Sequence, residues 1–422
     1  MNRQEVGGHI PQIGDAGPDF SDHSPRRRKQ VGRHFYNDVY LDSQIEAAWI
    51  RLVQGDASAV QLLVDIYGDK PPEPLSKQWS VYSVTPAHIA QLQSLKPRPD
   101  AFETTGTFYG AKGLALLRGG KGEKRYGAQL FFGPLHNHSQ REALTWTFFA
   151  RGSEWSYDPG YWNKHYRMGF TTETVGHQAV TIDGESHSWT GGSGHLLGWV
   201  DTPDVQWAMA AHPGAYADAE QFNRLIAQVH NPTTGELGYW LDVSIVEGGT
   251  QRDDSFHTRM TRAELDVDLP DEPFAAAMVG DIEYGKLLRA DYYLEGYVDK
   301  GFYWIAPGAG YGFLGSPRRV AMGKTVRAVL TDPEGKPAPS TMIVDLLGAP
   351  GRELFVANSP AFIHIPAKPY LIRRDIGPGT SVFAKVLRFA DDPIDSVEGV
   401  GGRVTVRWKD GRRDEWYIGG MV

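Results

Sequence analysis

The sequence predicts an α+β protein that is mainly β, with a short N-terminal helical region followed by a large antiparallel β-sandwich domain. Apolar residues follow a helical period only within about the first hundred residues, and from about residue 96 they alternate in short runs separated by turns. The chain also contains 49 Gly and 27 Pro, with 12% aromatic residues, which is typical of turn-rich β proteins. We therefore assign residues 1–95 to a helical region and residues 96–422 to the sandwich, with a possible smaller sub-sheet at about residues 331–422.

The helical region contains signals for two long helices and one short one. Ser43 and Glu46 have the spacing of a capping box, and apolar residues at helical spacing follow as far as Gly55. A second apolar stripe lies within residues 59–67, and Pro86 stands at the first position of a third, shorter helix. The first two helices are joined tightly enough to predict an antiparallel hairpin.

Short runs rich in β-branched and aromatic residues predict the strands of the sandwich. Turn residues separate these runs, and a Lys-Asp-Gly turn joins the last two as a closing hairpin. The strand candidates are residues 114–118, 143–150, 225–230, 239–246, 326–330, 341–346, 404–408 and 416–418.

Composition excludes several classes of function. The formal net charge of −8 argues against nucleic acid as a partner, and no apolar run approaches the roughly 20 residues that span a membrane. The chain has no cysteine, which excludes disulfides, thiolate nucleophiles and cysteine-ligated zinc. Residues 1–17 lack the apolar core of a signal peptide, so we expect a cytoplasmic protein or a sequence that begins downstream of the natural start. The oligomeric state stays open.

Three short motifs contain candidate metal ligands. His136 and His138 share one face of the chain if that segment is extended, while Asp158 begins an Asp-Pro-Gly turn and His177 precedes a further strand candidate. Imidazole and carboxylate ligands together suit Zn²⁺ with an open position or a water as fourth ligand. Taken singly, each histidine fits a hydrogen-bonded core or surface position better than a metal ligand, and Asp-Pro-Gly alone is a simple turn.

The order of these motifs resembles that of the heparinase II/III-like polysaccharide lyases, including their alginate and oligoalginate lyase-like members. That family has an H-x-H segment, a strand that ends in D-P-G, and a strand that opens with His and continues to V-D-G. The resemblance covers about residues 96–422. The matching segments are 136–138, 158–160, 177–180, 182–184, 239–243, 247–249 and 254–257.

The resemblance implies a role for each candidate residue. His138, Asp158 and His177 would hold one structural Zn²⁺. His136 would lie in the catalytic cleft together with a tyrosine, for which Tyr161 is the nearest match and Tyr166 the reserve.

The resemblance also implies a reaction, β-elimination on a uronic-acid polymer such as alginate or a glycosaminoglycan, so the expected partner is an anionic polysaccharide or oligosaccharide. One alternative is a non-catalytic glycan-binding module that retains the metal. A zinc hydrolase is a weaker alternative because the sequence has no H-E-x-x-H pattern.

The sequence departs from the family pattern in three places. Gln178 replaces the family asparagine, and Pro134-Leu135 replaces the usual glycines near H-x-H. The family also has a large N-terminal toroid of helical hairpins that supplies further catalytic residues, whereas only a short remnant matches residues 1–95. We therefore expect either an active lyase or a truncated or degenerate one. Family members are typically periplasmic or secreted bacterial proteins.

Overall fold

The computed structural model describes Ala90, Ser94, Asp158 and residues 106–120, 124–135, 140–151, 153–156, 168–276, 307–332, 341–360, 366–400 and 402–418. Ala90 and Ser94 are helical, and the rest of the predicted helical region lies outside the described residues. The candidate site residues His136, His138, Tyr161 and Tyr166 also lie outside them. No helix among the described residues is long and apolar enough to cross a membrane.

Most of the described residues form strands, which are, in chain order, β1 (Thr107–Tyr109), β2 (Leu114–Gly119), β3 (Tyr126–Phe131), β4 (Trp146–Ala150), β5 (Ser153–Glu154), β6 (Val180–Ile182), β7 (His195–Asp201), β8 (Val205–Ala211), β9 (Ala219–His230), β10 (Leu237–Gly248), β11 (Gln251–His257), β12 (Arg262–Leu265), β13 (Gly315–Ala321), β14 (Val326–Thr331), β15 (Met342–Leu346), β16 (Glu353–Asn358), β17 (Pro369–Ile376), β18 (Thr380–Phe389), β19 (Ile394–Val400), β20 (Arg403–Trp408) and β21 (Arg413–Tyr417). The helical elements among the strands are short. They are α1 (Met168–Thr171) and the 3-10 turns Gly110–Lys112, Thr174–Gly176, Pro213–Ala215 and Pro307–Phe313.

The strands pair in antiparallel fashion to form sheets. The largest has the strand order β12-β14-β15-β18-β10-β9-β8-β7. Two five-stranded sheets have the orders β1-β2-β3-β4-β5 and β13-β16-β17-β11-β6, and a three-stranded sheet has the order β19-β20-β21.

The eight-stranded sheet lies in the middle and buries both faces. In β10, Trp240 and Val246 point into a core that also contains residues of both five-stranded sheets. The alternate residues, such as Leu241 and Val243, point into a second core shared with β19 and β20. This alternation follows from the two-residue period of a strand. The predicted antiparallel sandwich of a mainly β protein is therefore confirmed.

Two predicted strands begin later than expected. Residues 143–150 were expected to be extended throughout, but β4 begins at Trp146 because residues 142–145 form a turn, in which the Thr145 N–H bonds to the Glu142 carbonyl at 3.0 Å. Leu144 adopts a φ of 57°, a conformation that β-branched and other bulky residues adopt only when tertiary contacts impose it. Similarly, a 3-10 turn precedes His177, and β6 begins only at Val180.

A network of five buried charges joins the eight-stranded sheet to the sheet that contains β11 and β17. Asp242 and Lys385 lie directly opposite each other on β10 and β18, with 2.8 Å between Oδ2 and Nζ. Asp254 and Arg373 are opposite each other on β11 and β17, with 2.6 Å between Oδ2 and Nη2. Lys385 Nζ also lies 3.0 Å from Asp254 Oδ2, which connects the two sheets.

Arg224 completes this charge network from β9. Its Nε and Nη2 donate to the two carboxylate oxygens of Asp242 at 2.8 and 2.6 Å. Its Nη1 donates to the carbonyl of Leu144 at 2.9 Å and to the carbonyl of Gln178. Because none of the five side chains is more than 1% exposed, each charge depends on these partners for its stability.

We expect Lys385→Met to lower the free energy of unfolding by about 3–5 kcal/mol, because the variant leaves two buried carboxylates without their shared cation. Arg407→Met is the matched control, since the Arg407–Glu398 pair is exposed and 3.6 Å long, and it should cost at most about 1 kcal/mol. Chemical denaturation measures both. Equal losses in the two variants would contradict the importance of the buried network.

The network also predicts a dependence of stability on acid. Burial alone would raise the pKa of Asp254, but Lys385, Arg373 and Arg224 outweigh it and hold that pKa well below its usual range. The stabilisation that ionised Asp254 gives the folded state is therefore fully present above the unfolded-state pKa of about 4. It is lost as the pH falls towards the folded-state pKa. We expect the free energy of unfolding of Asp254→Asn to fall less steeply below about pH 4 than that of the wild type. If the free energies of unfolding of the variant and the wild type fall in parallel with pH, Asp254 is not responsible for the acid dependence.

Candidate metal centre

Asp158 is positioned by the chain that follows the β4–β5 hairpin. The Ser156 hydroxyl accepts a hydrogen bond from the Phe148 N–H at 3.1 Å and donates one to Glu154 Oε1 at 2.7 Å. The Trp155 N–H bonds to the Phe148 carbonyl at 3.0 Å. These bonds hold the residues before Asp158 against β4, and the Asp158 side chain is only 7% exposed.

His177 is positioned by the 3-10 turn before it. The His177 N–H bonds to the Thr174 carbonyl at 3.0 Å, and the Tyr370 hydroxyl donates to the Gly176 carbonyl at 3.0 Å. A Cβ atom at Gly176 would lie 2.3 Å from the Phe170 carbonyl oxygen, so only glycine fits beside His177. The turn therefore sets the direction in which the imidazole points.

The structure brings Asp158 and His177 together with a third group, Glu142. One ligand atom from each of the three lies within 4.8 Å of the others, and all three residues are buried. His177 Nδ1 lies 3.6 Å from Asp158 Oδ2, which is longer than a hydrogen bond. Two ligand atoms of a tetrahedral zinc ion, each about 2.0–2.1 Å from the metal, lie roughly 3.3 Å apart, so this separation fits a pair of ligands better than a hydrogen-bonded pair.

The electrostatics of the three residues also favour a cation. Burial alone would lower the pKa of His177, but Asp158, Glu142 and the Thr171 backbone outweigh it, so that its pKa is raised. The His177 Nε2 atom is buried and has no hydrogen-bond partner. Two buried carboxylates and one imidazole carry a charge of −2 when the imidazole is neutral, and a divalent ion would balance that charge.

Two further buried histidines lie outside the candidate metal group, and one of them, His187, contacts the backbone next to Glu142. His187 Nδ1 accepts a hydrogen bond from the Ala143 N–H at 3.0 Å, next to Glu142. Burial holds the pKa of His187 well below its usual value, so the ring stays neutral and can accept that bond. Burial also lowers the pKa of His212, whose Nε2 lies 3.3 Å from the Gly133 carbonyl. Both rings serve to position backbone.

The structure describes only some of the site residues that the sequence predicts. It places Asp158 and His177 side by side, whereas His136, His138 and Tyr161 lie outside the described residues, and their roles stay predictions. Sequence reasoning missed Glu142. The available signal was a lone carboxylate at the start of the apolar run from residue 143, four positions after His138.

Among the comparisons with known proteins, only the comparison of structures finds similar proteins. No protein-family model and no curated protein sequence matches the chain. A heparinase III gene product with methylated lysines matches with a TM-score of 0.54 and 10% identity, over 98% of this chain and 50% of that one. A mutant heparan sulfate lyase from Pedobacter heparinus matches with a TM-score of 0.51 and 11% identity, over 99% and 51%.

The chain thus spans about half the length of the solved structures that it matches. At this level of identity the likeness bears on architecture, and it agrees with the resemblance found in the motifs. The chain has a heparinase-like fold.

Proposed function

We propose that this chain acts in the β-elimination of a uronic-acid-containing polysaccharide, as a polysaccharide lyase. The supporting observation is the buried group of Glu142, Asp158 and His177 within a heparinase-like fold, because Asp158 and His177 are two of the three ligands that the motif resemblance implied. The solved structures of similar fold include a heparan sulfate lyase, which favours a glycosaminoglycan over alginate as substrate.

The reaction requires two tasks of the side chains. The proton α to the uronate carboxylate must be removed, and the developing enolate must be stabilised by donors to the carboxylate before the bond to the O4 leaving group breaks. We assign the donor role to His136. We assign proton transfer to Tyr161, whose side chain as phenolate would accept the α proton and as phenol would then donate it to the leaving O4 oxygen.

The metal in this proposal is one Zn²⁺ with a structural role. Asp158 and His177 would hold it, with His138 from the sequence resemblance and Glu142 from the structure as the other candidate ligands. When bound, the ion supplies positive charge to two buried carboxylates. Asp158 and His177 follow separate elements, so their joint ligation would fix the β4–β5 region against the segment that precedes β6.

A second function is a non-catalytic glycan-binding role. Its support is that Glu142, Asp158 and His177 are all buried, so a metal ion held by them could serve the fold alone. Under either function we divide the chain into a helical region at residues 1–95 and a sandwich at residues 96–422. The appearance of an absorbing unsaturated uronate product separates a lyase from a binding module.

The metal is tested by elemental analysis of purified variants. We expect roughly one Zn²⁺ per wild-type chain, and its loss from Asp158→Asn, His177→Ala and His138→Ala. His195→Ala is the control, because His195 is exposed on β7, and it should retain the metal. Because metal binding stabilises the folded state, the three depleted variants should also melt at lower temperature.

Glu142→Gln decides whether Glu142 is a ligand. Loss of zinc from this variant makes it one, whereas retention of zinc restricts Glu142 to a buried neighbour. A wild-type chain that contains no zinc after refolding with the ion would contradict the proposed centre.

The two neighbouring histidines should differ in activity. We expect His136→Ala to keep zinc and melting temperature but to lose turnover of heparan sulfate by roughly 10²–10³-fold, the usual effect of removing a donor that stabilises a developing anion. His138→Ala should lose both zinc and stability. The measurement is product absorbance beside zinc content. Loss of zinc from His136→Ala would show that the two roles are reversed.

Wild-type protein that yields no unsaturated product from heparan sulfate, other glycosaminoglycans or alginate would contradict the lyase proposal and leave the binding function.

A further inference from the structure

An arginine and an exposed tryptophan lie together beside the candidate metal centre. Trp189 is 41% exposed, which is unusual for so large an apolar side chain, and it lies in the segment between β6 and β7. The guanidinium carbon of Arg141 lies 5.3 Å from the centre of the Trp189 ring. This distance is within the range of a cation–π contact, so the two side chains form one surface feature.

Hydrogen bonds of its backbone N–H and carbonyl hold Arg141 in place. Its N–H bonds to the Thr172 carbonyl at 3.0 Å, and its carbonyl accepts a hydrogen bond from the Thr174 hydroxyl at 2.8 Å. The side chain is 28% exposed, and its Nε atom is buried without a hydrogen-bond partner. A guanidinium is a planar fork that binds carboxylates and sulfates through paired donors, and the Arg141 side chain is partly open to solvent.

The acidic neighbour of Arg141 does not neutralise it fully. Arg141 Nη1 lies 3.5 Å from Glu173 Oε2, a long contact for an ion pair. Glu173 is only 5% exposed, and burial raises its pKa in spite of Arg141, Ser186 and His177, which lower it. The guanidinium is therefore partly open to solvent and only loosely paired with Glu173.

The position of the pair connects it to the proposed function. Arg141 directly precedes Glu142, and the charge of His177 acts on Glu173 as that of Arg141 does. Two hydroxyl side chains, Ser188 and Thr190, flank Trp189 and lie 3.1 Å apart. An aromatic face with hydroxyls and a cation beside it matches a sugar ring that carries an acid group.

We propose that Trp189 and Arg141 form a subsite for one anionic sugar residue of a polysaccharide. The sugar ring stacks on the exposed part of the indole, and its carboxylate or sulfate accepts hydrogen bonds from the guanidinium. The inference rests on the proposed function for the class of ligand, and on the geometry of the two side chains for the place. Both are positioning residues, since neither is assigned a proton transfer.

The test is calorimetric titration of the full chain with a heparan-sulfate-derived oligosaccharide and with a neutral oligosaccharide of equal length, at low and high salt. We expect Trp189→Ala to weaken both ligands roughly tenfold, the loss of a contact worth about 1.4 kcal/mol. Arg141→Met should weaken only the anionic ligand and flatten its salt dependence, while Arg141→Lys should keep part of the affinity.

Two further variants separate binding from folding. Glu173→Gln removes a negative charge beside Arg141, so it should keep or raise affinity for the anionic ligand, whereas a merely structural Arg141–Glu173 pair would give weaker binding. Tyr417→Ala removes another exposed aromatic side chain, 63% exposed on β21, and should change neither affinity. Melting curves of all variants show whether the fold is retained.

Unchanged affinity in both Trp189→Ala and Arg141→Met would overturn the subsite, as would a wild-type chain that binds neither oligosaccharide. The proposed function fails separately. If no unsaturated product forms but the variants weaken binding as expected, the subsite stands and the lyase activity does not. If product forms and neither variant changes the KM, the activity stands and the subsite does not.

Discussion

Lys385 lies between two aspartates in the interior of the sandwich, and the register of the sheets depends on it. Asp242 and Asp254 come from different sheets, and both carboxylates lie within 3.0 Å of its ammonium group. A buried charge is strongly destabilising without a partner, so these strands tolerate no alternative pairing. A shift of one residue in β10 would turn Asp242 to the opposite face, against the apolar core shared with β19 and β20. Arg224 would then lose its carboxylate partner, and Lys385 would lose one of its two.

The same network determines where the candidate ligands lie. Arg224 uses two of its donors on Asp242 and a third on the carbonyls of Leu144 and Gln178. Leu144 lies two residues after Glu142, and Gln178 follows His177 directly, so one guanidinium holds both ligand-bearing segments. The positive φ of Leu144, which costs on the order of 1–3 kcal/mol, persists because this bond and the turn at Glu142 require it. Asp158 is fixed independently, through Ser156.

Much of the fold could be predicted from the sequence, because an alternating apolar strand is a local signal. The segments within β9, β10, β14, β15 and β20 were predicted for this reason, and the spacing of Asp158 and His177 was found by resemblance. The charge network was not predictable, because Asp242 in Tyr-Trp-Leu-Asp-Val looks like an ordinary solvent-facing position. That face of β10 is interior only because the sheet that contains β11 and β17 packs against it. The turn at residues 142–145 was missed for the same reason, since His187 and Arg224, which hold it, are distant in sequence.

Burial separates residues that could hold a metal ion from residues that could contact a polysaccharide. His177 is 1% exposed and Asp158 7%, so neither can contact a polymer that stays outside the fold. An ion held between them would stabilise the surrounding loops, and contact with a polysaccharide would fall to exposed groups around them. Arg141 and Trp189 are such groups: they contact each other, and Arg141 directly precedes Glu142 in the chain. The buried carboxylates of this region would therefore stabilise the fold, while the exposed indole would stack on the sugar ring and the guanidinium beside it would select the charge of the sugar.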